Sequence, residues 1–312
     1  MTSSEATTSF YPIGTPGKPW GPEERALWRS RQRRQRSHRD DVVAAVDRLR
    51  GHFDVQTYGE VESGDGRLPL LAVRSRGWGS DLPVVLVTGG VHGYETSGVH
   101  GALQFLAQDA AAFSDRVNLL VVPCVSPWAY ERVQRWNHDA VDPNRSFREP
   151  SPAPESAALM RLVAPFKGQF IAHIDLHETT DSDESEFRPA KAARDGETFE
   201  PGTIPDGFYL VDDTENPQPG FQQAIIDEVS RVTHIAPADA AGGIIGSPLV
   251  APGVIRYPLR ELGLCASITG ARYTTTTEVY PDSPRATPSQ CNLAQTTAVR
   301  AAISFALASR GG

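Results

Sequence analysis

Residues 84–95 read Val84, Val85, Leu86, Val87, Thr88, Gly89, Gly90, Val91, His92, Gly93, Tyr94 and Glu95. An apolar, β-branched run that stops at two glycines is the pattern of a buried strand meeting a tight turn. In an open α/β sheet, side chains just past the carboxyl end of a strand stand on the rim where ligands bind. Here they include a histidine and, three residues on, a glutamate, which are donor types of a catalytic zinc site. Such a pair also arises by chance on polar loops. Its reading depends on a third ligand, a base and a substrate anchor elsewhere.

Working outward, apolar residues at helical spacing predict helices over residues 41–53, 95–113 and 154–166. Residues 68–74, 83–88, 117–123 and 170–176 read as strands. Strands alternating with helices indicate a parallel or mixed sheet covered on both faces. From 179 to 207 the pattern lapses into an acidic, Pro- and Gly-containing stretch, expected to be a loop or lid inserted within one domain. Order returns with strands at 208–211, near 264–268 and at 273–279, and with helices at 221–232 and 293–307. The expected organisation is an N-terminal arm, 1–37, and a single catalytic domain, 38–312.

Composition narrows the class of function. The net charge of −8 over 312 residues gives no support to a nucleic-acid partner. No apolar run approaches the roughly 20 residues that span a bilayer, and the Ser- and Thr-rich start has no apolar core of a secretory signal. The three cysteines, Cys124, Cys265 and Cys291, follow no zinc-finger or C-x-x-C spacing, so the expectation is a reducing cytoplasm without disulfides. Arginines crowd residues 25–39 and acids crowd 175–186. The arginine run reads as a solvated helix face, since aromatic interleaving is sparse there.

The third ligand comes from the strand at 170–176, which continues as His173, Ile174, Asp175, Leu176, His177, Glu178. Alternation puts His173, Asp175 and His177 on one side, and only His177 can stand clear of the strand end. His173 is expected to be a satisfied core histidine. Between the strand ends lies Arg135, Trp136, Asn137, His138, Asp139, Ala140, Val141, Asp142, Pro143, Asn144, Arg145, Ser146, Phe147, and near the C-terminus Thr277, Glu278, Val279.

These blocks, H-x-x-E, then R-x(8)-N-R within V-D-x-N-R-x-F, then D-L-H, then T-E-V, stand in the order found in the M14 zinc metallocarboxypeptidases. The chain resembles that family over roughly 84–280, most closely its small bacterial cytoplasmic members, the group of the rapid encystment phenotype protein. The resemblance implies a mixed, mainly parallel eight-stranded α/β sheet with helices on both faces. It also implies one zinc ion held by His92, Glu95 and His177, with Asp142 bonded to the outer nitrogen of His92. Glu278 would be the general base for a zinc-activated water, and Arg135 would polarise the scissile carbonyl, with Arg132 as its competitor. Asn144 and Arg145 would grip a free carboxylate, with Tyr257 closing over the substrate.

The expected substrate is a peptide with a free C-terminus. Succinylglutamate desuccinylase and aspartoacylase are related and share H-x-x-E and D-x-N-R, so an N-acyl amino acid is the alternative, and a non-catalytic zinc or peptide binder a third. The apparent lack of an extra C-terminal β-domain favours the peptidase. Departures from the family pattern include Ser126-Pro127 for Asn-Pro and Glu178 after the ligand histidine, which puts an extra carboxylate near the metal. Glu261 or the acids of 181–186 would attract a basic C-terminal residue.

Overall fold

The computed structural model describes residues 10–309 except 63 and 65, so the first nine residues of the expected arm lie outside the described part. Ten strands are described: β1 (Phe53–Glu62), β2 (Arg67–Ser75), β3 (Val84–Gly89), β4 (Asn118–Val122), β5 (Phe170–Glu178), β6 (Tyr209–Asp213), β7 (Gly243–Ile244), β8 (Ser247–Pro248), β9 (Val254–Tyr257) and β10 (Tyr273–Val279). The helices are α1 (Pro22–Arg31), α2 (Ala44–Arg48), α3 (Thr96–Gln108), α4 (Pro127–Arg132), α5 (Pro154–Val163), α6 (Arg188–Asp195), α7 (Pro219–Val229) and α8 (Pro288–Ala308).

The main sheet has eight strands in the order β1-β2-β4-β3-β5-β10-β6-β9, with β7 and β8 forming a separate hairpin. Strands β4, β3, β5 and β10 pair in parallel, whereas β2 joins β4, and β6 joins β10, antiparallel. Every residue of β3 is buried, as expected for a strand covered on both faces. Val85 and Val87 pack with Val99 and Leu106 of α3 and with Ile303 of α8; Val84 and Leu86 pack with Leu159 and Leu162 of α5. This alternation leaves the carboxyl end as the exit for polar side chains.

The chain runs from β3 to β4 on one side, then crosses back to β5 on the other. That reversal opens a crevice between the ends of β3 and β5, the place where open α/β sheets bind ligands. Gly90 turns the chain there with φ of 58°, a conformation that glycine adopts without a Cβ clash.

Three elements differ from the sequence reading. Residues 264–268 form a 3-10 turn around Cys265–Ser267, and the strand lies earlier, at β9. The helix expected to reach residue 53 ends at Gly51, and residue 53 begins β1. The acidic stretch is helical from Asp183 to Asp195. Its Pro189 sits in the first turn, where a missing N–H costs nothing, and Gly196 closes it at φ of 73°.

The described residues of the expected arm are packed against the rest of the chain. Trp20 and Trp28 are buried in a cluster with Trp128, Trp136 and Ala193. Arg25 donates to the carbonyls of Asp139 and Ala140, and Arg29 to that of His138. These arginines therefore meet protein acceptors rather than forming a merely solvated face.

Candidate metal centre and substrate pocket

His92 and Glu95 occupy the turn between β3 and α3, and His177 stands at the end of β5. The turn is held tightly: a Cβ at Gly93 would overlap the backbone of Ala129 and Tyr130. The three side chains are buried, with one donor atom from each lying within 4.8 Å of the others. Glu95 Oε1 is 2.7 Å from His92 Nδ1, and Glu95 Oε2 is 2.7 Å from His177 Nδ1. The outer nitrogens face other carboxylates: His92 Nε2 lies 2.9 Å from Asp142 Oδ1, and His177 Nε2 lies 2.8 Å from Asp175 Oδ2. An Nε2–H donated to aspartate leaves the Nδ1 lone pair free, which is the tautomer a metal ligand needs.

Zinc fits this donor set. Glu95 Oε2, though buried beside His177 Nδ1, makes no hydrogen bond. Two imidazole nitrogens and one carboxylate are a catalytic zinc set with a fourth position open. Without a cation, burial opposes the charge of Glu95, but His177 and His92 hold its pKa at about 2. Burial likewise opposes charge on His177, yet Glu95 and Asp175 raise it well above the ordinary value. The other close grouping, His173, Asp175 and Cys265, has a different character. Thr88 hydroxyl donates to Asp175 Oδ1 (2.6 Å), lies 3.0 Å from His173 Nε2 and 3.6 Å from Cys265 Sγ, so it knots the three together.

A cavity of about 270 Å³ opens over the three side chains, and its walls include Arg135, Asp142, Asn144, Arg145, Tyr257 and Glu278. Glu278 pairs in register with His177 across β10 and β5 and accepts the Thr179 hydroxyl at 2.9 Å. Burial pushes its pKa up to about 8; a dication bound nearby would act against this by favouring the carboxylate. Arg135 Nε donates to Asp142 Oδ2 (3.1 Å), and its Nη1 donates to Tyr94 Oη and Asp183 Oδ1 (3.3 Å each). Its competitor Arg132 lies outside the cavity, 4.6 Å from the Trp128 ring centroid.

Arg145 donates from Nη1 to the carbonyl of Asn144 (2.7 Å) and has no ion pair among the described residues. Asn144 is more committed. Its Oδ1 accepts from the Cys265 amide at 2.8 Å, and its Nδ2 lies 3.3 Å from His177 Nε2. Tyr257 lies half-buried on the wall, and both Arg145 and Glu278 act on it electrostatically.

Several expectations are redirected. Glu178 lines the same cavity as His92, Glu95 and His177, and its carboxylate is engaged there: it accepts from the amides of Thr96 (2.9 Å) and Ser97 (2.7 Å), capping the N-terminus of α3. Of the acids in 181–186 only Asp183 lines the cavity. Asp181 accepts from Tyr280, Glu184 from Arg188, and Glu186 from Tyr11. Glu261 is exposed and outside the wall, whereas Arg188, Lys191 and Arg194 of α6 line it. Asp175 and Asp183 were missed as partners of His177 and Arg135. A signal existed for Asp175, two residues from His177 on the same strand side, but none for Asp183, whose contact is made only by the fold.

Residues 81–194 match the family model of the succinylglutamate desuccinylase/aspartoacylase catalytic domain. That span includes His92, Glu95, Arg135, Asp142, Asn144, Arg145 and His177. No curated protein matches the sequence. Among solved structures, a candidate metallopeptidase of Shewanella denitrificans superposes with a TM-score of 0.60 at 22% identity, covering 85% of this chain and 88% of that one. A second, from Shewanella baltica, gives 0.61 at 20% identity over 93% and 99%. A metallo-carboxypeptidase of Burkholderia cenocepacia gives 0.57 at 16% over 93% and 70%. The chain thus shares its fold with these metallopeptidase and metallo-carboxypeptidase structures, and residues 81–194 resemble the succinylglutamate desuccinylase/aspartoacylase catalytic domain.

Proposed function

We propose that this protein is a zinc-dependent carboxypeptidase that hydrolyses the C-terminal peptide bond of its substrate. The observation that carries the reading is the convergence, in one cavity, of the His92–Glu95–His177 donor set, the Glu278 carboxylate and the Arg145 guanidinium, which has no ion pair among the described residues. His92, Glu95 and His177 would hold the zinc, which supplies a Lewis acid and a water acidified to a pKa of about 7.

The protein's own groups perform the remaining work. Arg145 forks onto the terminal carboxylate by paired N–H bonds, with Asn144 Nδ2 and Tyr257 beside it. Arg135 keeps Nη2 for the scissile carbonyl oxygen, because Nε and Nη1 are already bonded; charge developing on that oxygen is stabilised there. Glu278 accepts a proton from the attacking water and delivers it to the leaving nitrogen. Asp142 and Asp175 hold the ligand histidines in the required tautomer.

A second reading, deacylation of an N-acyl amino acid, is favoured by the family match over residues 81–194. Both reactions cleave an amide next to a free carboxylate. They separate on a panel of peptides with free and amidated C-termini, assayed beside N-acyl amino acids with and without chelator. The carboxypeptidase reading expects cleavage of free peptides only, abolished by chelation and restored by zinc. Faster turnover of N-acyl amino acids would establish the second reading instead. Equal cleavage of amidated and free peptides would overturn the role given to Arg145.

A further inference from the structure

The reaction above makes no use of the arginine run in the arm, yet one member of it reaches the metal turn. Arg36 Nη2 donates to the carbonyl of Gly93 (2.9 Å), the residue immediately after His92, and Nη1 donates to Thr96 Oγ1 (2.8 Å). Its Nε donates to the carbonyl of Tyr130 (3.1 Å), and the guanidinium carbon lies 4.3 Å from the centroid of the Tyr130 ring. The backbone that carries it is fixed too, since the amides of Gln35 and Arg36 donate to the carbonyl of Glu131 at 2.7 and 3.1 Å.

We infer that Arg36 is a positioning residue for the metal ligands, bolting the turn that carries His92 and Glu95 to α4; this rests on the zinc reading above. The turn has few ways to move. The Gly93 backbone abuts Ala129 and Tyr130, and the Tyr94 amide donates to the carbonyl of Gln134 at 3.1 Å. The Thr96 amide is held by Glu178 at 2.9 Å, which leaves the Gly93 carbonyl and the Thr96 hydroxyl as the points that Arg36 secures. Arg36 bonds both places at once with a rigid planar fork, which an ammonium cannot reproduce. Ligand placement, and with it zinc affinity, therefore depends on a side chain outside the donor set.

The test measures zinc dissociation constants of the full chain by competition with a chromophoric chelator, and visible spectra of the cobalt-substituted protein. Arg36→Met is expected to weaken zinc binding about tenfold, the lower range for a residue that supports metal ligands indirectly, and to alter the cobalt bands. Arg36→Lys should recover part of the loss. Arg29→Met, which removes an arm contact to residues 138–139 but none to the metal turn, should keep wild-type affinity. Wild-type affinity and spectrum in Arg36→Met overturn the inference. So does a loss in Arg29→Met equal to that in Arg36→Met, since the arm would then act through general stability. If Arg36→Met does not fold, Arg36→Lys decides: wild-type affinity and spectrum there overturn the fork. Failure of the wild-type chain to bind zinc would instead overturn the zinc reading itself.

Discussion

Glu155 offers a test of the energetics beneath the site. It lies in the first turn of α5, is 3% exposed, and accepts one side-chain hydrogen bond, from Asn137 Nδ2 at 3.3 Å. Burial raises its pKa from 4.5 to about 7. The sign follows from linkage: the folded protein holds this proton more tightly than the unfolded chain, so ionisation opposes folding. There is no penalty below pH 4.5; it grows between 4.5 and about 7 and is constant above. At about 1.4 kcal/mol per pH unit the full penalty is about 3 kcal/mol. In a chain of this size that moves the melting temperature by about 5 °C.

Glu155→Gln keeps the shape and removes the charge. Urea unfolding of both proteins, in chelator so that metal binding does not intervene, should give similar stabilities at pH 4.5. By pH 8 the variant should be the more stable by up to about 3 kcal/mol, less what an imperfect amide hydrogen bond costs. The shape of the curve matters more than its height. A stability difference that does not change between pH 4.5 and 8 would refute the burial argument.

Other outcomes concern the chemistry. Glu278→Gln should lower kcat by about a hundred- to ten-thousand-fold, the range for losing a general base, with zinc affinity unchanged in the chelator competition because Glu278 is outside the donor set. Asp183→Asn replaces one charge-assisted partner of Arg135 with a neutral one. It should lower kcat about tenfold with little change in KM, and steady-state kinetics that show only a KM effect would remove Arg135 from the carbonyl.

What could be read in advance was whatever local periodicity controls. The strand and glycine turn before His92 and the alternation along β5 are short-range patterns. The first stands where that logic put it, whereas β5 runs on to Glu178, so His177 is paired with Glu278 inside the strand's end rather than clear of it. The acidic stretch was misread because its charge outweighed its pattern. Arg188 to Asp195 has a first-turn proline, three alanines and a closing glycine, all helix signals. Adjacency to His177 does put Glu178 on the wall of the same cavity, but a β strand turns successive residues to opposite faces, and its carboxylate is taken by the amides of α3, a contact the local pattern does not carry. The contacts of Asp183 and Arg36 connect residues 48 and 57 positions apart, and no local pattern carries such information.

The indole cluster has an optical consequence. Four of the five tryptophans, Trp20, Trp28, Trp128 and Trp136, lie in it, with the Trp28 and Trp136 ring centroids 5.5 Å apart and those of Trp28 and Trp128 6.0 Å apart. Only Trp78 stands elsewhere, beside Phe166 and Arg74. Intrinsic emission and near-ultraviolet dichroism of this protein are therefore weighted toward the junction where the arm meets the segment bearing Arg135. The chain carries its own spectroscopic gauge of that junction, readable without a label.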